Sequence, residues 1–151
     1  MRVSAKADYA VRAALELAAS DGQSVKGERV AEAQGIPLKF LENILQELRH
    51  AGLVRSQRGP EGGYRLGRPA SEISLGDVIR SVDGPLASVR GEAPEDLEYG
   101  GSADALQTVW VALRANMRAV LDEVSLDQVA AGKLPAQVER LTKDPEAWTR
   151  R

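Results

Sequence analysis

Residues 59–63 read Gly-Pro-Glu-Gly-Gly, so three glycines and a proline stand between two runs of extended character, LVRSQR at 53–58 and YRL at 64–66. No helix continues through such a segment, and no side chain there is large enough to build a core. It can turn sharply, and its backbone can approach another surface closely. The two flanking runs are therefore expected to pair as a β-hairpin with an exposed glycine-rich tip.

What precedes the hairpin is helical. Val11, Ala14, Leu15 and Ala18 recur at i, i+3, i+4 and i+7, which predicts a helix over 5–19 ended by Asp21-Gly22. Ser24-Val25 is a short extended piece. A second helix is expected over 26–34, with Val30, Ala31 and Ala33 inward and Gly35 at the left-handed C′ position. Pro37 suits the start of a third helix, whose apolar stripe is Leu41, Ile44, Leu45 and Leu48 and which Gly52 closes. Two helices joined by a glycine turn form a helix-turn-helix, and a hairpin directly after the second is a wing.

Further on, Ser74 and Asp77 have capping-box spacing and open a helix through Leu75, Val78, Ile79 and Val82, stopped at Asp83-Gly84-Pro85. Residues 86–101 carry Glu92, Glu95, Asp96 and Glu98 among glycines and read as an acidic loop. The longest helical pattern runs from Ser102 to Val124, with Leu106, Val109, Trp110, Leu113, Met117, Val120, Leu121 and Val124 near heptad spacing. Such a helix either folds back over its own core or forms a dimer seam. After Lys133-Leu134-Pro135 the tail is polar.

The expected fold is thus mainly α with a small β-wing (α+β): a winged helix-turn-helix domain at 1–84, an acidic loop at 85–101, a dimerisation helix at 102–125 and a tail at 126–151.

Composition limits the chemistry. With 4% aromatic residues, the core must come from Ala, Val, Leu and Ile. The absence of cysteine removes disulfides, thiolate metal sites and thiol nucleophiles. One histidine and no paired catalytic motif leave little from which to build an enzyme site. No apolar run of signal-peptide type or of membrane-spanning length occurs, so a cytoplasmic protein is expected. A net charge of −2 argues mildly against a nucleic-acid partner. Placement outweighs the sum, however: residues 1–84 hold 12 Lys/Arg against 11 Asp/Glu (net +1), and the remainder 8 against 11 (net −3).

If the hairpin is a wing, the third helix enters a major groove of double-stranded DNA with its first turns leading. Pro37, Leu38, Lys39, Glu42 and Asn43 are the exposed residues expected there. Lys39 can meet guanine or phosphate, Glu42 a cytosine amino group, and Asn43 adenine. Arg55, Arg58 and Arg65 lie on the wing, with Arg58 beside Gly59 suited to a narrow minor groove. Lys6 and Tyr9 on the first helix are phosphate candidates, with packing an equal reading for Tyr9. His50, near the end of the third helix, suits C-terminal capping.

The run GLVRSQRGPEGGYRLGRPASEISLGDVIRSVDGP, with the opening MRVSAKADYAVRAALELA, closely resembles the bacterial Rrf2 family of regulators, over residues 1 to about 125. The resemblance implies a homodimeric winged-helix transcription factor whose long C-terminal helices cross at the dimer. It also implies that Lys39, Glu42 and Arg58 match DNA-contacting positions. Pro37 and Lys39 stand where the family often has small hydroxyl residues, which implies a different operator. Cluster-binding members carry three cysteines before the dimer helix, and the matching SVRGEAPEDLEYGGSAD has none. Asp8 matches a non-cysteine ligand position of nitric-oxide-sensing members, but a lone carboxylate cannot hold a cluster. No cofactor and no metal are therefore expected, and the signal would be a small molecule near Trp110 or a protein effector. The competing reading is a winged-helix protein-interaction module without an operator of its own.

Overall fold

The first helix, α1 (Ala5–Ala19), starts where Ser4 accepts a hydrogen bond from the Ala7 amide at 2.9 Å. Its inner face is Ala7, Ala10, Ala13, Ala14 and Leu17, all buried. Alanine keeps the surface of a helix close to its axis, so neighbouring elements can approach closely. Two further helices, a hairpin and two later helices all use that face. The computed structural model describes all 151 residues.

Helices α2 (Gly27–Gln34) and α3 (Leu38–His50) follow, then strands β1 (Val54–Gln57) and β2 (Gly63–Leu66). They are succeeded by α4 (Leu75–Asp83), α5 (Leu106–Leu121), α6 (Leu126–Ala131) and α7 (Ala136–Leu141). The strands form a two-stranded antiparallel sheet. Val25 adds an edge to it, exchanging backbone hydrogen bonds of 2.8 and 2.7 Å with Tyr64. The expected α+β winged-helix architecture is the observed one.

One core joins these pieces. Val30, Ile36, Leu41, Ile44, Leu45, Leu48, Leu53, Val54, Ile73, Val78 and Leu126 close around the α1 face. Each fully buried leucine or isoleucine contributes about 1.5–3 kcal/mol relative to exposure. No buried residue of the core is polar or charged.

Three expectations are corrected by this arrangement. The helix placed at 102–124 spans only Leu106–Leu121, because Gly101–Ala103 form a separate 3-10 turn and the chain bends at Asp122. Val124, counted with the dimer stripe, is buried in the protomer's own fold, and its carbonyl accepts from the Leu75 amide at 2.9 Å. The segment after 125 is not a tail from its first residue. Leu126 is fully buried and α6 packs on α1.

The return of the chain is built from two paired helix starts. Ser74 and Ser125 face one another in an antiparallel bridge, and the Leu126 amide donates to the Ile73 carbonyl at 2.9 Å. Each serine opens a helix with a capping box, Ser74 with Asp77 and Ser125 with Gln128. Arg80 spans the junction, 2.7 Å from Asp122 and 3.4 Å from Asp77. Gly76 leaves room beneath it, since a Cβ there would meet the Asp122 carboxylate and displace it from Arg80. Burial pushes the Asp77 carboxyl up, but the Ser74 amide and hydroxyl and the Arg80 guanidinium outweigh it and hold the group below its ordinary range.

The segment over 86–105 is also more ordered than an acidic loop. Leu86, Pro94 and Leu97 are buried, Arg114 of α5 pairs with Glu95, and the Trp110 indole donates to the Tyr99 hydroxyl at 3.1 Å.

Leu126→Ala is expected to lower the unfolding free energy by about 2–5 kcal/mol, the range for a buried leucine truncated in a packed core. Removal of residues 133–151, which carry no buried side chain, is expected to leave the denaturant midpoint within the scatter of the full chain.

Candidate nucleic-acid interface

The turn between α2 and α3 is set by Gly35, which takes the left-handed conformation at φ 62° and allows the Ile36 amide to reach the Ala31 carbonyl at 2.9 Å. Ile36 then plugs into the core and the chain leaves at Pro37, whose fixed φ leads into α3. Because Leu41, Ile44, Leu45 and Leu48 are buried, the opposite face must be solvent-exposed. Pro37, Leu38, Lys39, Glu42 and Asn43 are all exposed there. Gln46, Arg49 and His50 continue that face. Lys39 and Glu42 make no ion pair within the chain.

The wing is fixed to α3 by Arg49, whose guanidinium donates to Ser56 Oγ at 3.2 Å. Its tip depends on glycine. A Cβ on Gly63 would lie 2.5 Å from the Val25 carbonyl, and one on Gly62 would collide with the Gln57 carbonyl. Gly59 adopts φ 102° and leaves Arg58 and Pro60 exposed at the tip.

The hairpin register sets Arg55 directly opposite Arg65. Both are exposed, and neither they nor Arg58 pair with any carboxylate. Like charges opposed across a strand pair destabilise a sheet by up to about 1 kcal/mol. Three unneutralised arginines therefore share one small wing beside the exposed face of α3.

The first helix supplies less free charge than its sequence suggests. Lys6 Nζ is 2.7 Å from Glu47 Oε1 of α3, so it ties α1 to α3. Tyr9 packs: its ring meets Phe40 edge-on at 5.6 Å and carries the Arg12 guanidinium 4.8 Å from its centre. Phe40 itself escaped the sequence reading. The available signal was an aromatic residue standing one position off the buried stripe.

Along α5 no residue is buried within the protomer. Trp110 and Arg114 face the 86–105 segment, while Met117 and Leu121 line a groove with Ile79 and Leu86. Val109, 54% exposed, Leu113 and Val120 stand at heptad spacing on another line, with Asn116 among them. Leu106 begins the helix, partly covered. No helix is long and apolar enough to cross a membrane.

Residues 3–132 match the family model Rrf2, described as iron-dependent transcriptional regulator. A Mycobacterium tuberculosis protein classed as an HTH-type transcriptional regulator is 56% identical over 97% of this chain and 92% of its own. The HTH-type transcriptional regulator IscR of Vibrio atlanticus is 38% identical over 85% of this chain and 75% of its own. Among solved structures, CymR, the global cysteine regulator of B. subtilis, superposes with a TM-score of 0.74 at 32% identity, covering 87% of this chain and 98% of that one. IscR of T. potens gives 0.70 at 30% identity, covering 99% and 97%.

The iron in the family's description finds no fitting donor set here. There is no cysteine, and no three of the His, Asp and Glu side chains gather where they could hold a metal ion. Asp8 is bound to Arg12 at 3.0 Å and Glu95 to Arg114. Fold, wing and matched sequence agree: the chain belongs to the Rrf2 family of DNA-binding transcriptional regulators.

Proposed function

We propose that the protein is a homodimeric repressor that binds a palindromic operator through α3 and the wing, and that its signal is not read by an iron–sulfur cluster. The observation that carries the DNA reading is the opposed Arg55–Arg65 pair with Arg58 beside it. A folded protein gains nothing from holding these cations together without a carboxylate, whereas a phosphate backbone neutralises all three. Lys39, Glu42, Asn43 and the first turn at Pro37 and Leu38 then supply base-edge contacts, with Arg58 and Gly59 in the adjacent minor groove. Lys6 joins them by exchanging Glu47 for phosphate, and Tyr9 by supporting the face from behind.

The dimer reading rests on α5. Sixteen residues of helix, about 24 Å long, bury no residue in one protomer, and an apolar face of that length needs a partner. A second copy crossing along Val109, Leu113 and Val120, with Leu106, Trp110, Met117 and Leu121 at the margins, covers it. Two-fold symmetry then demands a two-fold operator. The protein works in the cytoplasm, and its effector is a small molecule or a partner protein.

Arg65→Thr separates the two roles of the wing. It is expected to stabilise the DNA-free fold by about 0.2–1 kcal/mol by removing the like-charge pair. It should also weaken DNA binding across sequences and make the slope of log K against log salt about one unit shallower. Chemical denaturation and fluorescence anisotropy at several salt concentrations measure both, and an unchanged slope contradicts the reading.

Leu113→Asp is expected to give monomers in sedimentation equilibrium with helical content intact, and to lower operator affinity at least tenfold. Dimers of unchanged affinity would exclude α5 as the seam.

A further inference from the structure

Phe40, the chain's one phenylalanine, stands in the first turn of α3 with 42% of its surface exposed. Its position is not that of a core residue left half in. The buried stripe of α3 passes it by, and what holds it is the edge of the Tyr9 ring, 5.6 Å away at an interplanar angle of 86°. Tyr9 is in turn fixed by Arg12, whose guanidinium sits 4.8 Å from its centre. Arg12 is anchored twice, by Asp8 at 3.0 Å and by the Gln34 carbonyl at the end of α2 at 2.7 Å. A chain of contacts thus runs from the turn of the helix-turn-helix to the exposed ring. An aromatic side chain already ordered before binding loses little entropy when it meets a partner.

Asn43 shares a shallow surface pocket with the ring, and Lys39 precedes it in the same first turn. A first turn that leads into the major groove meets base edges, and only thymine presents a methyl group there. A cytosine or adenine amino group set against a phenyl ring would lose its hydrogen-bond partner without replacement. The same ring therefore favours one base and penalises two others.

We infer that Phe40 is a specificity-determining residue that packs against the 5-methyl group of one thymine in each half-site. The inference rests on α3 being the helix that enters the major groove. Phe40 adds an apolar base contact to the polar ones expected of its neighbours.

The test uses a duplex selected by the full-length protein from a random DNA pool. It is resynthesised with each thymine replaced singly by deoxyuridine, which removes the methyl group alone. At one position per half-site the wild-type protein is expected to bind about fourfold more weakly, the factor equivalent to ~0.8 kcal/mol for one buried methyl-sized group. Phe40→Ala is expected to bind the thymine and uracil duplexes at that position equally, while melting as a folded protein. If alanine disturbs the helix start, Phe40→Gln gives the same reading. Indifference of the wild-type protein to uracil at every thymine overturns the inference, as does a uracil effect that persists undiminished in both variants. Failure of the protein to select any duplex is a different result, and it overturns the DNA reading beneath the inference as well.

Discussion

The packing of the winged-helix body is referred to the alanine face of α1. Ala7, Ala10, Ala13 and Ala14 present almost no side-chain volume, so α2, α3, α4, α6 and the wing share one helix as common ground. In a chain with so few aromatic residues, close approach replaces bulk as the source of dispersion and apolar burial. A larger side chain at any of these alanines would move several elements at once, and overpacking of that kind typically costs about 1–3 kcal/mol. The orientation of α3 relative to the wing, on which the DNA reading depends, is inherited from this packing and from the Lys6–Glu47 and Arg49–Ser56 links.

The second constraint is the return of the chain after α5. The helix proposed as the dimer seam is attached to the winged-helix body at both ends. At one end the 86–105 segment is stitched to it through Trp110–Tyr99 and Arg114–Glu95. At the other, Asp122 pairs with Arg80, and Val124 and Leu126 enter the core beside Ile73. Movement of α5 therefore cannot be isolated from α4 and α1. The family resemblance implies cluster ligands in the corresponding loop of other members. Here Glu95 is exposed but tied to Arg114, its carboxyl kept below its ordinary range by its own backbone hydrogen bond and by Arg114.

The sequence revealed local chemistry well and long-range partnership poorly. The bounds of α1, the left-handed Gly35, the start at Pro37, the hairpin and the Ser74–Asp77 box all follow from residues within a few positions of one another. Val124 and Leu126 did not follow, because six residues of α6 are too few to display a helical period and its capping box, Ser125 with Gln128, opens on a short segment. Lys6 looked free because its partner lies 41 residues away on α3. Phe40 was passed over because its support, Tyr9, comes from another helix. The acidic segment read as solvated since Leu86, Pro94 and Leu97 are scattered without period, although they are the residues that pin it.

The acidic overall charge is compatible with this account because the cations are local: Arg55, Arg58 and Arg65 sit exposed on the wing and Lys39 on the first turn of α3, and none is neutralised within the fold. The central claim, that α3 and the wing form the main DNA-contacting surface, is tested most directly by hydrogen–deuterium exchange with and without a selected operator duplex. The account predicts slowed exchange in residues 36–46 and 55–65, with α5 unchanged. Protection confined to α5 or to residues 133–151, with α3 and the wing unaffected, would contradict it.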